Sequence, residues 1–181
     1  EDIRFFGEIK DFASAVKAAA GKSSQFQLET RYKKLGGNAP IMANAMGHLG
    51  IQNTCMGSMG FPDLRPVFRE LHPTVNPVSV CNPGETNALE FNDGKLIMSD
   101  MSSFRDFNWE YLVEKAGKEL LLKEMNKSGV IALVDWANLD HCSDLWSGLQ
   151  EHILPQLEER KVFFFDIADP SRQNTREVEE V

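Results

Sequence analysis

The chain has 181 residues, 42% of them hydrophobic and 25% charged, which is enough for one globular domain with a buried core. Its net charge of −8 argues against nucleic-acid binding through a basic surface, because phosphate contacts need clustered lysines and arginines. Three scattered cysteines without a CxxC pair, no apolar run approaching the roughly 20 residues of a membrane span, and no signal peptide lead us to expect a cytoplasmic protein with a small-molecule substrate.

The first half of the chain predicts alternating helices and strands. The segment "EIKDFASAVKAAAG" places its apolar residues at helical spacing and ends at a glycine. Apolar and polar residues alternate over Gln25–Lys33, which predicts a half-buried strand. A glycine pair then precedes the helix "APIMANAMGHLG", a short strand in "IQNTCMGSMG" and an amphipathic helix in "PDLRPVFRELH", whose proline stands near its start.

The second half of the chain predicts a hairpin followed by a βαβ unit. Asn92-Asp93-Gly94 separates two alternating runs within Thr86–Ser99, a strong hairpin signal. Helical patterns in "NWEYLVEKAGKELLLKEMNKS" and "HCSDLWSGLQEHILPQLEER" flank the apolar run "GVIALVDWAN", and a second apolar run, "KVFFFDIADPS", follows them. Such runs predict parallel strands buried on both faces. We therefore expect a doubly wound, mostly parallel α/β sheet with a small antiparallel β lid.

The stretch Gly36-Gly37-Asn38 is the first candidate for a binding site. Glycine permits positive φ and lets a ligand approach the backbone, and the following helix offers unpaired N–H groups. Asn38 is expected to cap that helix and to present its remaining amide atoms to a hydroxyl-rich ligand. A plain turn and cap is the alternative, since the stretch is neither GxGxxG nor a P-loop.

Polar residues that follow the two apolar runs form the second candidate, because ligands of such sheets lie beyond the carboxyl ends of the strands. In "DIADPSRQ", Asp166 and Asp169 are expected to orient a sugar hydroxyl and Arg172 to pair with phosphate. The alternative is an Asx-Pro turn with a surface arginine. In "DWAN", Asp135, Trp136 and Asn138 stand at the end of the other apolar strand, and Trp136 either forms a pocket wall or covers the sheet edge. Glu85-Thr86-Asn87 either reaches a substrate or forms a turn.

The segment "GGNAPIMANAMGHLGIQNTCMGSMG" resembles the ribokinase-like (PfkB) family of sugar and nucleoside kinases. In that family a glycine pair opens a helix of small residues, and a strand with a glycine-rich turn follows. Gly36-Gly37 matches the pair, Leu49-Gly50 the helix end, and Gly57 with Gly60 the turn. Further along, Asp169-Pro170-Ser171-Arg172 is similar to the family's "FDPNxR" segment. The resemblance covers the chain from about Gln25 onward.

This resemblance implies phosphoryl transfer from ATP, or from ADP, to a hydroxyl of a sugar or nucleoside, with Mg²⁺. It implies substrate contacts at the sites already described: Gly36, Gly37, Asn38, Asp169 and Arg172. It also implies a β lid, formed by residues 25–34 and 78–100, that excludes water and could form a homodimer contact. Neither nucleic acid nor a membrane is an expected partner.

The sequence departs from the family in three places. Ile41 stands where many members have a sugar-binding asparagine, the first strand is not recognisable, and the chain ends before the "GAGD" motif with its catalytic aspartate and nucleotide site. Residues 1–181 are thus expected to form one incomplete ribokinase-like domain, inactive alone and without an assignable catalytic residue. A non-catalytic carbohydrate- or nucleoside-binding module is the alternative. A nicotinamide oxidoreductase is disfavoured because no GxGxxG follows a first strand.

Overall fold

The computed structural model describes residues 5–172 and 178–179 of the chain, apart from the side chain of Arg172. The helices of this part are α1 (Ile9–Ala18), α2 (Asn38–His48), α3 (Trp109–Ala116), α4 (Lys118–Lys127) and α5 (Cys142–His152). The strands are β1 (Asn53–Ser58), β2 (Val75–Cys81), β3 (Glu85–Phe91), β4 (Gly94–Asp100), β5 (Val130–Val134) and β6 (Val162–Asp166). None of the described helices has the length and apolar character of a membrane span.

The chain divides into two compact units, and the first combines the residues up to Lys33 with Glu85–Asp100. It contains α1 and the antiparallel hairpin β3–β4, so the predicted hairpin is confirmed. Asp93 in its turn accepts a hydrogen bond from the N–H of Ile9 at 3.0 Å, which ties the turn to the start of α1. The Phe12 ring lies 5.6 Å from that of Phe91 and completes the packing of helix on hairpin.

Two predictions for this unit are wrong. The structure assigns no strand to Gln25–Lys33, where Leu28 and Tyr32 are 58% and 64% exposed. An alternating pattern becomes a strand only where a neighbouring strand completes its hydrogen bonds, and this segment has none. Glu85-Thr86-Asn87 lies within β3 and is not a turn, and Thr86 hydrogen-bonds Ser99 across the hairpin at 3.0 Å.

The second unit, Lys34–Gly84 with Met101–Val181, contains two parallel strand pairs, β1–β2 and β5–β6. The helix α2 packs beside β1 around buried Ala43, Cys55 and Met59. A larger core, which includes Val80 and Ile153, holds α3, α4 and α5 against β2. The α/β class with parallel and antiparallel pairing is therefore confirmed, whereas one continuous doubly wound sheet stays a prediction, because the strands form three two-stranded sheets.

In the described part of the chain, only one face of the β5–β6 pair is covered, so burial of these strands on both faces stays a prediction. Leu133 packs against the helical core, and Ile131 on the same face is buried, but Val130, Val162 and Phe164 on the opposite face are 60%, 64% and 48% exposed. Within residues 5–172 and 178–179 the helices cover one face of this pair. The sequence shows that both faces are apolar, and the cover of each face depends on tertiary packing.

Two predicted helices differ in the structure. The segment "PDLRPVFRELH" forms only a short 3₁₀ helix over Pro66–Glu70, because Pro66 lacks an N–H donor and holds Arg65 in an extended conformation with ψ of 142°. The long helical pattern after residue 108 is divided into α3 and α4 at Gly117, whose φ is 79°. Both differences are local backbone effects that interrupt an otherwise helical apolar spacing.

Candidate functional site

The glycine pair leads directly into α2. Gly37 is the N-cap residue of this helix, with φ of 89° and ψ of 143°, so the predicted need for positive φ is confirmed there. No side chain caps the helix, and Asn38 is its first residue; the predicted capping role of Asn38 is therefore wrong. Gly36 is exposed, and a β-carbon at its position would meet open space. Gly37 sets the direction in which Asn38 leaves the turn.

The side chain of Asn38 joins two carboxylates. Its Nδ2 donates to Oδ1 of Asp135 at 2.9 Å and to Oδ2 of Asp166 at 2.9 Å. These partners lie 97 and 128 residues further along the chain. One amide group uses both of its N–H donors to hold two negative charges side by side.

The strand register explains why the two carboxylates meet. In the parallel pair β5–β6, Val134 lies opposite Asp166, so Asp135 and Asp166 both stand at the carboxyl end of the pair. Asp135 has a left-handed backbone, with φ of 74° and ψ of 31°, where the chain turns into a 3₁₀ helix. Asn138 then donates to Oδ1 of Asp135 at 2.6 Å, and the N–H of Ala168 donates to Oδ1 of Asp166 at 2.9 Å.

Trp136 lies directly behind this cluster and belongs to the core. It is 2% exposed, and its indole N–H donates to Oγ of Ser143 at 3.1 Å. It clusters with buried Ala137 and Cys142, which fits the interpretation that it covers the sheet edge better than that of a pocket wall. Burial raises the pKa of the neighbouring Cys142 thiol to about 12, and the charge of Asp135 acts in the same direction.

The remaining candidates from the sequence lie just after β6. Oδ1 of Asp169 accepts a hydrogen bond from the N–H of Ser171 at 3.0 Å, the geometry of an Asx turn. The side chain of Arg172 lies outside the described residues. Substrate binding by Gly36, Gly37, Asn38, Asp169 and Arg172 remains a prediction.

The cluster of Asn38, Asp135, Asp166 and Asn138 suits a ligand that donates several hydrogen bonds. Each ionised carboxylate offers about four lone-pair positions, so each can accept further bonds besides those it receives from the protein. Charge-assisted bonds of this kind are stronger than neutral ones and orient hydroxyl groups well. Sequence reasoning noted Asp135 and Asp166 separately, and their position at the ends of two apolar strands was the signal that they lie together.

The same geometry disfavours a resident cation between the two carboxylates. Mg²⁺ is bound through carboxylate and phosphate oxygens, but the amide N–H groups of Asn38 already occupy the space between Asp135 and Asp166. Among the described residues, no three His, Cys, Asp or Glu side chains come together as a metal site. In this arrangement the amide group of Asn38 bridges Asp135 and Asp166.

Comparison with known proteins identifies the class of the chain. A family model matches residues 1–180, and it places the chain among the ribokinase-like (PfkB) carbohydrate kinases, as the glycine motifs predicted. More narrowly, the chain belongs to the prokaryotic ketohexokinase family. It is also similar to the ketohexokinase of Haloferax volcanii, with 24% identity over 127 residues. No solved structure matches it at a significant level.

The match to the Haloferax volcanii protein takes in 70% of this chain and 33% of that relative. The chain thus spans about a third of the length of the curated relative it matches.

Proposed function

We propose that the protein phosphorylates a hydroxyl group of a ketohexose, with ATP as the phosphoryl donor. The family membership supports a sugar kinase, and the name of the similar protein supports a ketohexose as the acceptor. The observation that carries the proposal to this chain is the Asn38 amide between Asp135 and Asp166 at the carboxyl end of a parallel strand pair. Such strand ends are where α/β folds bind their ligands.

In this proposal the chain's own residues hold and orient the sugar. Asp135 and Asp166 accept hydrogen bonds from neighbouring sugar hydroxyls, while Asn38 fixes both carboxylates and offers its Oδ1 as a further acceptor. The positive φ of Gly37 keeps the backbone at the helix start open to the ligand. ATP with Mg²⁺ supplies the phosphoryl group when bound, and no described residue is assigned to that step.

Further functions expected from the sequence belong to the same proposal. They are substrate contacts at Asp169 and Arg172, a lid and a dimer contact formed by residues 25–34 and 78–100, and a cytoplasmic location. The catalytic aspartate of a "GAGD" motif is not among the 181 residues of this sequence.

The test uses the full-length protein with fructose, glucose, ribose and adenosine as acceptors, ATP or ADP as donors, and Mg²⁺. Mass spectrometry of the products is expected to show fructose gaining one phosphate. Asp135→Asn and Asp166→Asn should each lower kcat/KM by about 10- to 100-fold, the range for a lost hydrogen bond to a charged group. Asparagine tolerates the left-handed backbone of Asp135, so folding should survive.

Asp140→Asn is the matched control, because Asp140 is an exposed carboxylate nearby in the sequence that belongs to neither strand end. Its kcat/KM should equal that of the unchanged protein. A sugar that raises the melting temperature without any phosphorylated product would favour the non-catalytic binding module. If Asp135→Asn and Asp166→Asn both leave kcat/KM unchanged, the sugar binds at another part of the protein.

A further inference from the structure

A second concave surface lies beyond the carboxyl end of β1, apart from the Asn38 cluster. It is a cavity of about 460 Å³, within the size range of small-molecule sites. Its walls come from Phe61–Pro66, together with Arg69 from the 3₁₀ helix and Asn82 just after β2. It shares no lining residue with the strand-end cluster, and neither the family match nor the proposed function uses it.

The lining of this cavity carries a net positive charge, whereas the protein as a whole is negatively charged. Two guanidinium groups, Arg65 and Arg69, and one carboxylate, Asp63, line it, whereas the whole chain carries −8. In the described part of the chain, no ion pair joins either guanidinium to a carboxylate. Both side chains are exposed, so their donors are accessible to a ligand. Two unpaired arginines at one cavity are suited to bind an oxyanion.

The backbone of the cavity is fixed by hydrogen bonds to the neighbouring strand region. The N–H of Gly60 donates to the carbonyl of Cys81 at 2.9 Å, and the N–H of Phe61 donates to Oδ1 of Asn82 at 3.3 Å. The N–H of Arg65 donates to the carbonyl of Met59 at 2.8 Å. These bonds hold the walls in place before any ligand binds, which lowers the entropic cost of binding.

Two further contacts restrict the conformation of the loop that lines the cavity. Gly60 has φ of 119°, and a β-carbon there would overlap backbone atoms of Asp63 and Arg65. The ammonium group of Lys115 lies 5.3 Å from the centre of the Phe61 ring and holds this aromatic wall by a cation–π contact. The loop that lines this open cavity therefore has a fixed backbone, and the two arginines lie along it.

We propose that this cavity binds the oxyanion group of a small molecule, a phosphoryl or carboxylate group, through Arg65 and Arg69. The planar guanidinium groups donate paired N–H bonds to the anion oxygens, and the exposed amide of Asn82 and the ring of Phe61 contact the remainder of the ligand. The site is separate from the sugar-binding cluster, and its occupation does not depend on phosphoryl transfer.

The test titrates the full-length protein with inorganic phosphate and, separately, with malonate, by isothermal calorimetry at constant ionic strength maintained with chloride. At least one anion is expected to bind in the millimolar range or tighter. Arg65→Gln and Arg69→Gln should each weaken this binding about 10-fold or more, the effect of losing a hydrogen bond to a charged group. Arg65→Lys, which keeps the charge but loses the fork, should weaken it less.

Arg160→Gln is the matched control, since it removes the same charge from an exposed arginine that does not line the cavity. Its affinity should equal that of the unchanged protein. Preference for phosphate or for malonate would identify which oxyanion the site takes. The proposal is overturned if neither anion binds, if the Arg65 and Arg69 variants bind normally, or if Arg160→Gln weakens binding equally. Asp135→Asn should bind phosphate and malonate with the same affinities as the unchanged protein, which separates this site from the proposed kinase activity.

Discussion

Asn38 is the first residue of α2, but its side chain makes two hydrogen bonds outside this helix. Its single amide group holds Asp135 and Asp166, each at 2.9 Å, and thereby keeps two like charges at one strand end. Without this donor the carboxylates would repel each other and turn toward water. Because Asn38 is exposed, we expect it to orient the two carboxylates and to add little to the stability of the core.

Asn38→Ala should therefore raise KM for the sugar by about 10-fold or more while changing the free energy of unfolding by only about 1 kcal/mol. Steady-state kinetics of the full-length protein and urea unfolding would measure the two quantities. Gln150→Ala, which removes an exposed amide from α5, is the control and should leave KM unchanged. A variant that loses stability but keeps its KM would show that Asn38 is only a structural tie.

The buried thiols predict how stability depends on alkaline pH. Burial raises the pKa of Cys55 from 9.0 to about 11 and that of Cys142 from 9.0 to about 12. Below pH 9 both thiols are protonated in the folded and unfolded states and add no pH dependence. Above pH 9 the unfolded thiols ionise while the folded ones stay neutral, so the free energy of unfolding falls as pH rises.

Between pH 8 and pH 10 the two thiols together should lower the free energy of unfolding by roughly 3 kcal/mol, at about 1.36 kcal/mol per pKa unit for each thiol. Urea unfolding at both pH values would measure this loss. The double variant Cys55→Ala, Cys142→Ala should lose less stability over the same range, even though its overall stability is lower. Equal pH dependence in the two proteins would mean that the thiols are not buried in solution.

At the scale of elements, the packing of α3 on α5 depends on one small residue. Gly148 lies in the interior of α5, and a β-carbon at that position would overlap the ring of Trp109 in α3. Helix propensity alone would favour alanine over glycine by about 1 kcal/mol. The overlap outweighs this gain, because the half-buried Trp109 ring packs against the helical core and stacks on the ring of His152, and it would lose these contacts by moving away.

We expect Gly148→Ala to lower the free energy of unfolding by about 1–3 kcal/mol. Ser147→Ala changes the adjacent exposed residue of the same helix and should be neutral or slightly stabilising. Urea unfolding followed by the combined fluorescence of Trp109, Trp136 and Trp146 measures the stability of both variants. Stabilisation of the protein by Gly148→Ala would show that α3 and α5 are further apart than the structure places them.

The elements predicted correctly are those whose signal is local. The hairpin follows from Asn92-Asp93-Gly94, and α2 from helical spacing after Gly37, because turn chemistry and period act over a few residues. The strand predicted for Gln25–Lys33 is absent, because a strand needs a neighbouring strand as its partner and the spacing of residues in the sequence does not show whether one is present.

For the same reason the sequence predicted only part of the candidate site. Gly37 could be predicted because a glycine before a helix suggests a backbone with positive φ. The contact of both Asp135 and Asp166 with Asn38 depends on how β5 pairs with β6, which only the structure shows.

At the scale of the whole described chain, residues 5–172 and 178–179, the β5–β6 pair has one exposed apolar face. Val130, Val162 and Phe164 are 60%, 64% and 48% exposed, whereas Ile153 in the helical core is 0% exposed. Stability should follow burial and not residue type, because an exposed apolar side chain has little transfer free energy to lose. A contiguous exposed apolar surface also favours self-association.

The double variant Val162→Thr, Phe164→Thr should therefore change the free energy of unfolding by less than about 1 kcal/mol, since threonine keeps the strand propensity. Ile153→Ala, by contrast, should cost about 2–5 kcal/mol through lost packing and a cavity. Urea unfolding measures both, and light scattering should show less self-association for the double variant. If the threonine variant loses as much stability as Ile153→Ala, this face of β5–β6 is covered when the protein is in solution. The apolar character of both strands would then reflect burial on two faces, as their sequences predicted.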